Sequence, residues 1–191
     1  MTAAIDCDHP PAGGWTTDDM DTLPDDGRRY ELIDGVLHVS PSPTRIHQTV
    51  AARLVVALEN IPCPEEYDVT QGVEVRISRR RSFIPDVLVT TAEAAARNPS
   101  KYQPHEVVLA VEIVSPSSSA LDRGLKPMVY AEAGIPYSWR VETEPELTVA
   151  CYRLTPAGGY EPVGTFDTVV DIGKPWQIKL PLDQLAPRQY R

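Results

Sequence analysis

The stretch "VEIVSPSS", residues 111–118, puts the tightest limit on what this chain can fold into. Val111, Ile113 and Val114 are apolar and β-branched. They predict a buried strand that reaches back to Glu106 as "EVVLAVEIV". Glu112 stands in the middle of it. A buried carboxylate is costly unless it is paired, hydrogen-bonded or bound to a metal. Whatever fold forms must bring partners to Glu112, and their identity bears directly on function.

Two more acids share this situation. Asp86 follows Pro85 inside the apolar run "FIPDVLV", and Glu31 is embedded in "RYELIDG". Acids in neighbouring buried strands repel one another unless something positive lies between them. A hard divalent cation such as Mg²⁺ suits that role, because it takes carboxylate oxygens and keeps several waters. Lys126, in "DRGLKPMVY", is the nearest downstream ammonium. It is placed to position or deprotonate a metal-bound water, or to stabilise phosphate charge in a transition state. Pro127 leaves two local conformations open: Lys126 at a helix entrance, or a helix that begins near Asp122 and is irregular at Pro127. Taken alone, Asp86 and Glu112 also fit structural ion pairs with an arginine such as Arg76 or Arg140, and Glu31 also fits a solvated hairpin acid.

The rest of the chain reads as an α+β layout, a central sheet with helices packed on it. "YELIDGVLHV" (30–39) predicts a hairpin turning at Asp34-Gly35. "SPSPT" follows, with Ser42 or Thr44 as a helix cap. Ile46, Val50, Leu54 and Leu58 then recur every fourth residue in a helix that ends at Pro62-Cys63-Pro64. Strands are expected at 67–78, 83–89 and 106–114, joined by short connections that favour antiparallel neighbours, with a short helical piece at "AEAAAR". A helix stopping at Gly134 and a buried strand "YSWRV" (137–141) come next. Further strands follow at "ELTVACYRL", "GYEPV" and "WQIKL". Residues 1–25 are rich in Asp, Pro, Gly and Thr and read as a flexible acidic arm, with room for a docked segment at Trp15. Residues 26–191 read as a single domain.

At 191 residues, 42% hydrophobic and 24% charged, the chain has an ordinary globular composition. The longest apolar helical stretch, near Val50–Leu58, is too short for a membrane span, and "MTAAIDCDHPPAGGW" lacks the pattern of a secretory signal. Three widely spaced cysteines argue for a reducing compartment, so a cytoplasmic protein is expected. With 27 acids against 18 bases, the net charge of −9 counts against nonspecific nucleic-acid binding. It does not count against an enzyme whose acids cluster at a metal site.

"PD" at Pro85-Asp86 followed by Glu112 resembles the PD-(D/E)XK nuclease pattern. The run from "YELIDGVLHVSPSPTRIHQ" through "IPDVLV" to "VEIVSPSSSALDRGLKPMVYAEAGIPYSW" resembles, more narrowly, the Uma-two family of restriction-endonuclease-like proteins. The likeness covers roughly residues 28–185. It implies a restriction-endonuclease-like core: a mixed central sheet flanked by helices, here with an N-terminal hairpin and a C-terminal β extension. It implies Asp86 and Glu112 as metal ligands and Glu31 as the additional acid. In the general pattern the lysine stands two residues after the second acid, where this chain has Val114. The family resembles a variant whose lysine has moved into the next helix, and Lys126 matches that position. His47 stands where the family tends to carry a histidine, with substrate phosphate or the site itself as its partner.

The resulting expectation is a Mg²⁺-dependent nuclease, with Mn²⁺ as substitute, acting on DNA ahead of RNA. In it Asp86, Glu112, Lys126 and Glu31 are catalytic and His47 binds substrate. A catalytically silent nuclease-fold binding or assembly module is the alternative. A carboxylate-pair glycosidase is a weaker third, since aromatic residues make up only 7% of the chain. A two-fold homodimer is expected, drawing on strand edges of the β tail and on "YSWRV". "RRR" (79–81) reads as a basic turn ahead of a phosphate grip, and Asp122 as a helix cap ahead of a partner for Lys126. Cys7-Asp8-His9 lacks a second ligand pair for zinc, and the serine run 115–119 lacks a base.

Overall fold

Asp34 and Gly35 both adopt positive φ, 51° and 84°. That is the requirement of a two-residue hairpin turn whose twist matches its strands. A computed structural model describes residues 10–24, 26–40, 42–115 and 119–187. A short helix α1 (Thr17–Met20), capped by Thr16, precedes the hairpin of β1 (Arg29–Ile33) and β2 (Val36–Ser40). Trp15 is buried and its N–H donates to Gly35 O at 2.8 Å. Arg80 donates to Gly13 O and Asp34 O, while Arg81 pairs with Asp34 and Glu132. The basic turn therefore anchors the segment around Trp15, and the Arg80 and Arg81 guanidiniums are engaged by protein acceptors. Residues 1–9, with Cys7-Asp8-His9, lie outside the described residues, as do 116–118 of the serine run.

Helix α2 (Arg45–Asn60) is capped by Thr44, and Val50, Leu54 and Leu58 are fully buried on its inner face. The segment 67–78, expected as one strand, is two. Gly72 turns the backbone at φ 64°, separating β3 (Tyr67–Gln71) from β4 (Glu74–Ser78). The segment 83–89 is also split, into β5 (Arg81–Phe83) and β6 (Val87–Thr91) around Ile84-Pro85-Asp86. Pro85 has no N–H to offer a ladder, and Asp86 N–H instead donates to Val111 O at 3.0 Å. Both breaks move the chain from one sheet to another.

Helix α3 (Ala92–Ala96), β7 (Lys101–Tyr102) and β8 (Val107–Ile113) follow. After β8 a π-helical turn, Leu121–Leu125, runs directly into α4 (Lys126–Glu132). The remaining strands are β9 (Tyr137–Glu142), β10 (Thr148–Leu154), β11 (Tyr160–Phe166), β12 (Val169–Ile172) and β13 (Ile178–Pro181). One sheet has the order β2-β1-β5-β4-β7, the central one β11-β10-β9-β8-β6-β3, and β12 pairs β13. The central sheet is mixed, as expected: β8 and β9 run parallel across the α4 crossover, while β6 and β8 are antiparallel. "YSWRV" is the inner strand β9, paired on both sides, so it offers no dimer edge. Among the described residues no helix is long and apolar enough to cross a membrane.

Side-chain alternation along β8 divides the core. Leu109, Val111 and Ile113 face the cluster with Val50, Leu54, Leu58 and Trp139. Ala110 faces the other, with Phe83, Val129, Tyr130 and Ile135. Glu112 shares the parity of Ala110 and so turns toward α4.

Candidate active site

Glu112, on the fully buried strand β8, meets two partners from α4. Lys126 Nζ donates to its Oε2 at 3.1 Å, and the Tyr130 hydroxyl donates to Oε1. The same ammonium lies 3.0 Å from Glu31 Oε1 and 3.4 Å from Asp122 Oδ1. Three carboxylates thus converge on one lysine that is 4% exposed. Asp122, Lys126 and Tyr130 are spaced four apart, which places them on one helix face. Lys126 itself is α-helical (φ −59°, ψ −49°), and its N–H reaches back five residues to Leu121 O. The widened turn carries the helix across the N–H that Pro127 lacks, and Lys126 sits at that junction. Of the two conformations left open by the sequence, the irregular helix is the one adopted.

Asp86 is held differently. Its Oδ2 accepts from Ile113 N–H at 2.8 Å and lies 3.1 Å from His47 Nε2. Arg29 reaches Oδ1 at 3.4 Å and donates to Ile84 O at 2.6 Å. The broken strand at Pro85 supplies this geometry, because Asp86 stands at the gap between the two sheets. Glu31, from β1, bridges that gap by accepting from Ile84 N–H at 2.9 Å as well as pairing Lys126. Phe83 floors the site, with its ring 5.7 Å below Lys126 Nζ and edge-on to Tyr130 at 5.8 Å.

These surroundings drive the two acids apart. Burial alone would raise Asp86, but the hydrogen bond and charge of His47, the Ile113 N–H and Arg29 outweigh it and hold the carboxyl below its usual range. Burial pushes Glu112 up to about 8, with Asp86, Asp122 and Glu31 adding to the rise and Lys126 opposing it. Burial would lower Lys126, yet Glu112, Glu31 and Asp122 prevail and hold the ammonium above its ordinary value. The raised value of Lys126 favours a role as a positive charge in the site over that of a proton acceptor.

The structure gathers Glu31, Asp86, Glu112 and Lys126 into one site, with His47 at its Asp86 end. Arg76 and Arg140 are engaged elsewhere, with Asp21, Glu74 and Glu142, so neither is the partner of these acids. Glu31 is 5% exposed, which excludes a solvated hairpin acid. Asp122 joins Lys126, and the N-cap position of its turn is Ala120. Tyr130 and Arg29 were not singled out from sequence. The four-residue spacing of Asp122, Lys126 and Tyr130 was the available signal for the first, and nothing local marks the second.

A family model described as "Putative restriction endonuclease", Uma2, matches residues 17–182. The chain belongs to the Uma2 family. Its fold is also that of a solved protein from Anabaena variabilis, described as "a putative nuclease belonging to DUF820". The match has a TM-score of 0.72 and 19% identity, over 89% of this chain and 96% of that one. At that identity the match speaks for the restriction-endonuclease-like fold alone. No curated protein matches the chain. In this Uma2 member Val114 occupies the position two after Glu112, with its N–H bonded to Val141 O, and the lysine arrives from α4 instead.

Proposed function

We propose that this Uma2 protein is a divalent-cation-dependent nuclease that hydrolyses phosphodiester bonds of DNA. The observation that carries the reading is the surplus of buried carboxylate. Glu31, Asp86, Glu112 and Asp122 share the site, and burial with these neighbours pushes Glu112 up to about 8 even with Lys126 beside it. A buried acid with so high a pKa favours one more positive charge over a proton, once a cation is offered. The donors are all oxygen, which selects Mg²⁺ or Mn²⁺ over soft metals. Among the described residues no three His, Cys, Asp or Glu side chains form a ready metal cage. That fits Mg²⁺, which is held by one or two carboxylates and keeps its waters.

Asp86 and Glu112 are the residues that would hold the ion. Such an ion, when bound, polarises phosphoryl oxygen and lowers the pKa of water. Lys126 supplies a fixed positive charge against the developing charge of the phosphorane, and Glu31 and Asp122 aim it. Tyr130 keeps Glu112 in one orientation. Water adds to phosphorus and one P–O ester bond breaks, leaving a phosphomonoester and an alcohol.

One observation favours a rival reading, a silent nuclease-fold binding module. The Lys126 ammonium already lies among Glu31, Glu112 and Asp122 in the way a structural counter-ion would. Cleavage of supercoiled plasmid and oligonucleotides with Mg²⁺ or Mn²⁺, run beside Asp86→Ala, separates the two. Cutting that falls at least about a hundredfold in the variant supports the nuclease. A folded wild-type protein that binds no Mn²⁺ by calorimetry and cuts nothing supports the module. If a two-fold homodimer forms, the free sheet edges β2, β3, β7 and β11 are where its strands can meet.

A further inference from the structure

A polyanionic substrate faces an obstacle at this site. The protein carries −9 net charge, and the one buried ammonium is shared by three carboxylates. A basic side chain at the mouth would meet the phosphate alongside the proposed divalent cation. Glu31, His47, Asp86, Glu112, Asp122 and Lys126 are each 10% exposed or less, whereas the Arg29 side chain is 29% exposed. Of the three basic side chains that meet Glu31, Asp86 or Glu112, namely His47, Lys126 and Arg29, Arg29 is the most exposed to solvent.

Its hydrogen bonding points the same way. A guanidinium has five N–H donors in a planar fork. Arg29 gives one to Ile84 O at 2.6 Å, which anchors it, and a second to Asp86 Oδ1 at a long 3.4 Å. The pair with Asp86 is weak and single-pronged, so the remaining donors are available to a two-oxygen acceptor such as a phosphate. The hairpin register aims them. Arg29 lies opposite Ser40 and Glu31 opposite His38, so these four side chains share one face of β1 and β2. That face carries Glu31 into the site and Arg29 to its rim.

We propose that Arg29 is the phosphate-receiving residue of this site, gripping a non-bridging oxygen pair of a nucleic-acid backbone linkage beside the carboxylates. The assignment rests on the nuclease reading. It differs from the obvious basic candidates, because Arg80 and Arg81 are committed to Gly13, Asp34 and Glu132. A contact of this kind reads backbone and not base, so it adds affinity without sequence preference.

The test is the salt dependence of binding, by fluorescence anisotropy of a labelled DNA duplex with Ca²⁺ replacing Mg²⁺. Wild type, Arg29→Ala and Arg29→Lys are compared. Loss of one phosphate contact flattens the slope of log K against log salt by about 0.9 in Arg29→Ala, and Arg29→Lys keeps the slope while binding more weakly. A merely structural arginine leaves the slope unmoved. If Arg29→Ala does not fold, Arg29→Gln makes the same change of charge at closer size. Equal slopes in wild type and the neutral variants overturn the proposal, as does a wild-type protein with no measurable DNA affinity. A flattened slope in a protein that never cuts would retain Arg29 and discard the hydrolase. Cutting with an unchanged slope would do the reverse.

Discussion

Around Asp86 each oxygen meets a donor that favours ionisation: His47, the Ile113 amide and Arg29. Around Glu112 a lysine and a tyrosine must serve an acid that already faces three other carboxylates. Both acids are buried, yet one is held low and the other pushed up to about 8. Burial alone therefore does not assign the state of a carboxyl; the local balance of charge does. The Asp86 corner is electrostatically complete, and the Lys126 corner is short of positive charge.

Removing the lysine should break the contrast most severely. Lys126→Met leaves Glu31, Glu112 and Asp122 without their counter-ion and should cost about 3–5 kcal/mol at pH 7 by urea denaturation. Lys126→Arg, which keeps the charge, should recover part of that loss, and an equal loss in both variants would mean that Lys126 acts through packing.

Cation binding sharpens the comparison next. The ion must displace the Glu112 proton, so Mn²⁺ affinity by calorimetry should rise about tenfold per pH unit between about pH 6 and 8 and level off above. Glu112→Gln should weaken and flatten that profile, whereas a steep profile surviving in Glu112→Gln would place the proton elsewhere. The same raised pKa works against the metal-free fold. The native state keeps a proton that the unfolded chain has released, so stability should decline as pH rises from the ordinary carboxylate range toward 8.

Tyr130→Phe should cost about 1 kcal/mol, the net value of a typical hydrogen bond, and move the Mn²⁺ profile to higher pH, because a hydroxyl donating to Glu112 favours its ionised form. An unmoved profile would reduce Tyr130 to packing against Phe83. The smallest effect belongs to the complete corner. His47→Gln replaces the imidazole by a neutral amide, so Asp86 should rise toward its ordinary value in a carboxyl NMR titration while stability changes by less than about 1 kcal/mol.

Local pattern carried much of this molecule. The Asp34-Gly35 turn, the Val50–Leu58 stripe, the apolar strand around Glu112 and the helix stop at Gly134 are each short-range signals, and each is present in the fold. The embedded acids were legible for the same reason, since an acid in a β-branched run is anomalous wherever it occurs. Long-range pairing was not legible. Alternation across 67–78 is unbroken on paper, but Gly72 and Pro85 send consecutive strands into separate sheets, and a period of two does not say which sheet a strand joins. That division opens the gap in which Asp86 and Glu31 meet Lys126. Arg29 and Tyr130 are ordinary residues in sequence and acquire a role only through contacts with residues distant along the chain. The chain by itself determined which groups are buried and charged; tertiary structure decided which of them neutralise one another, because charge balance depends on distance in space and not on separation along the chain.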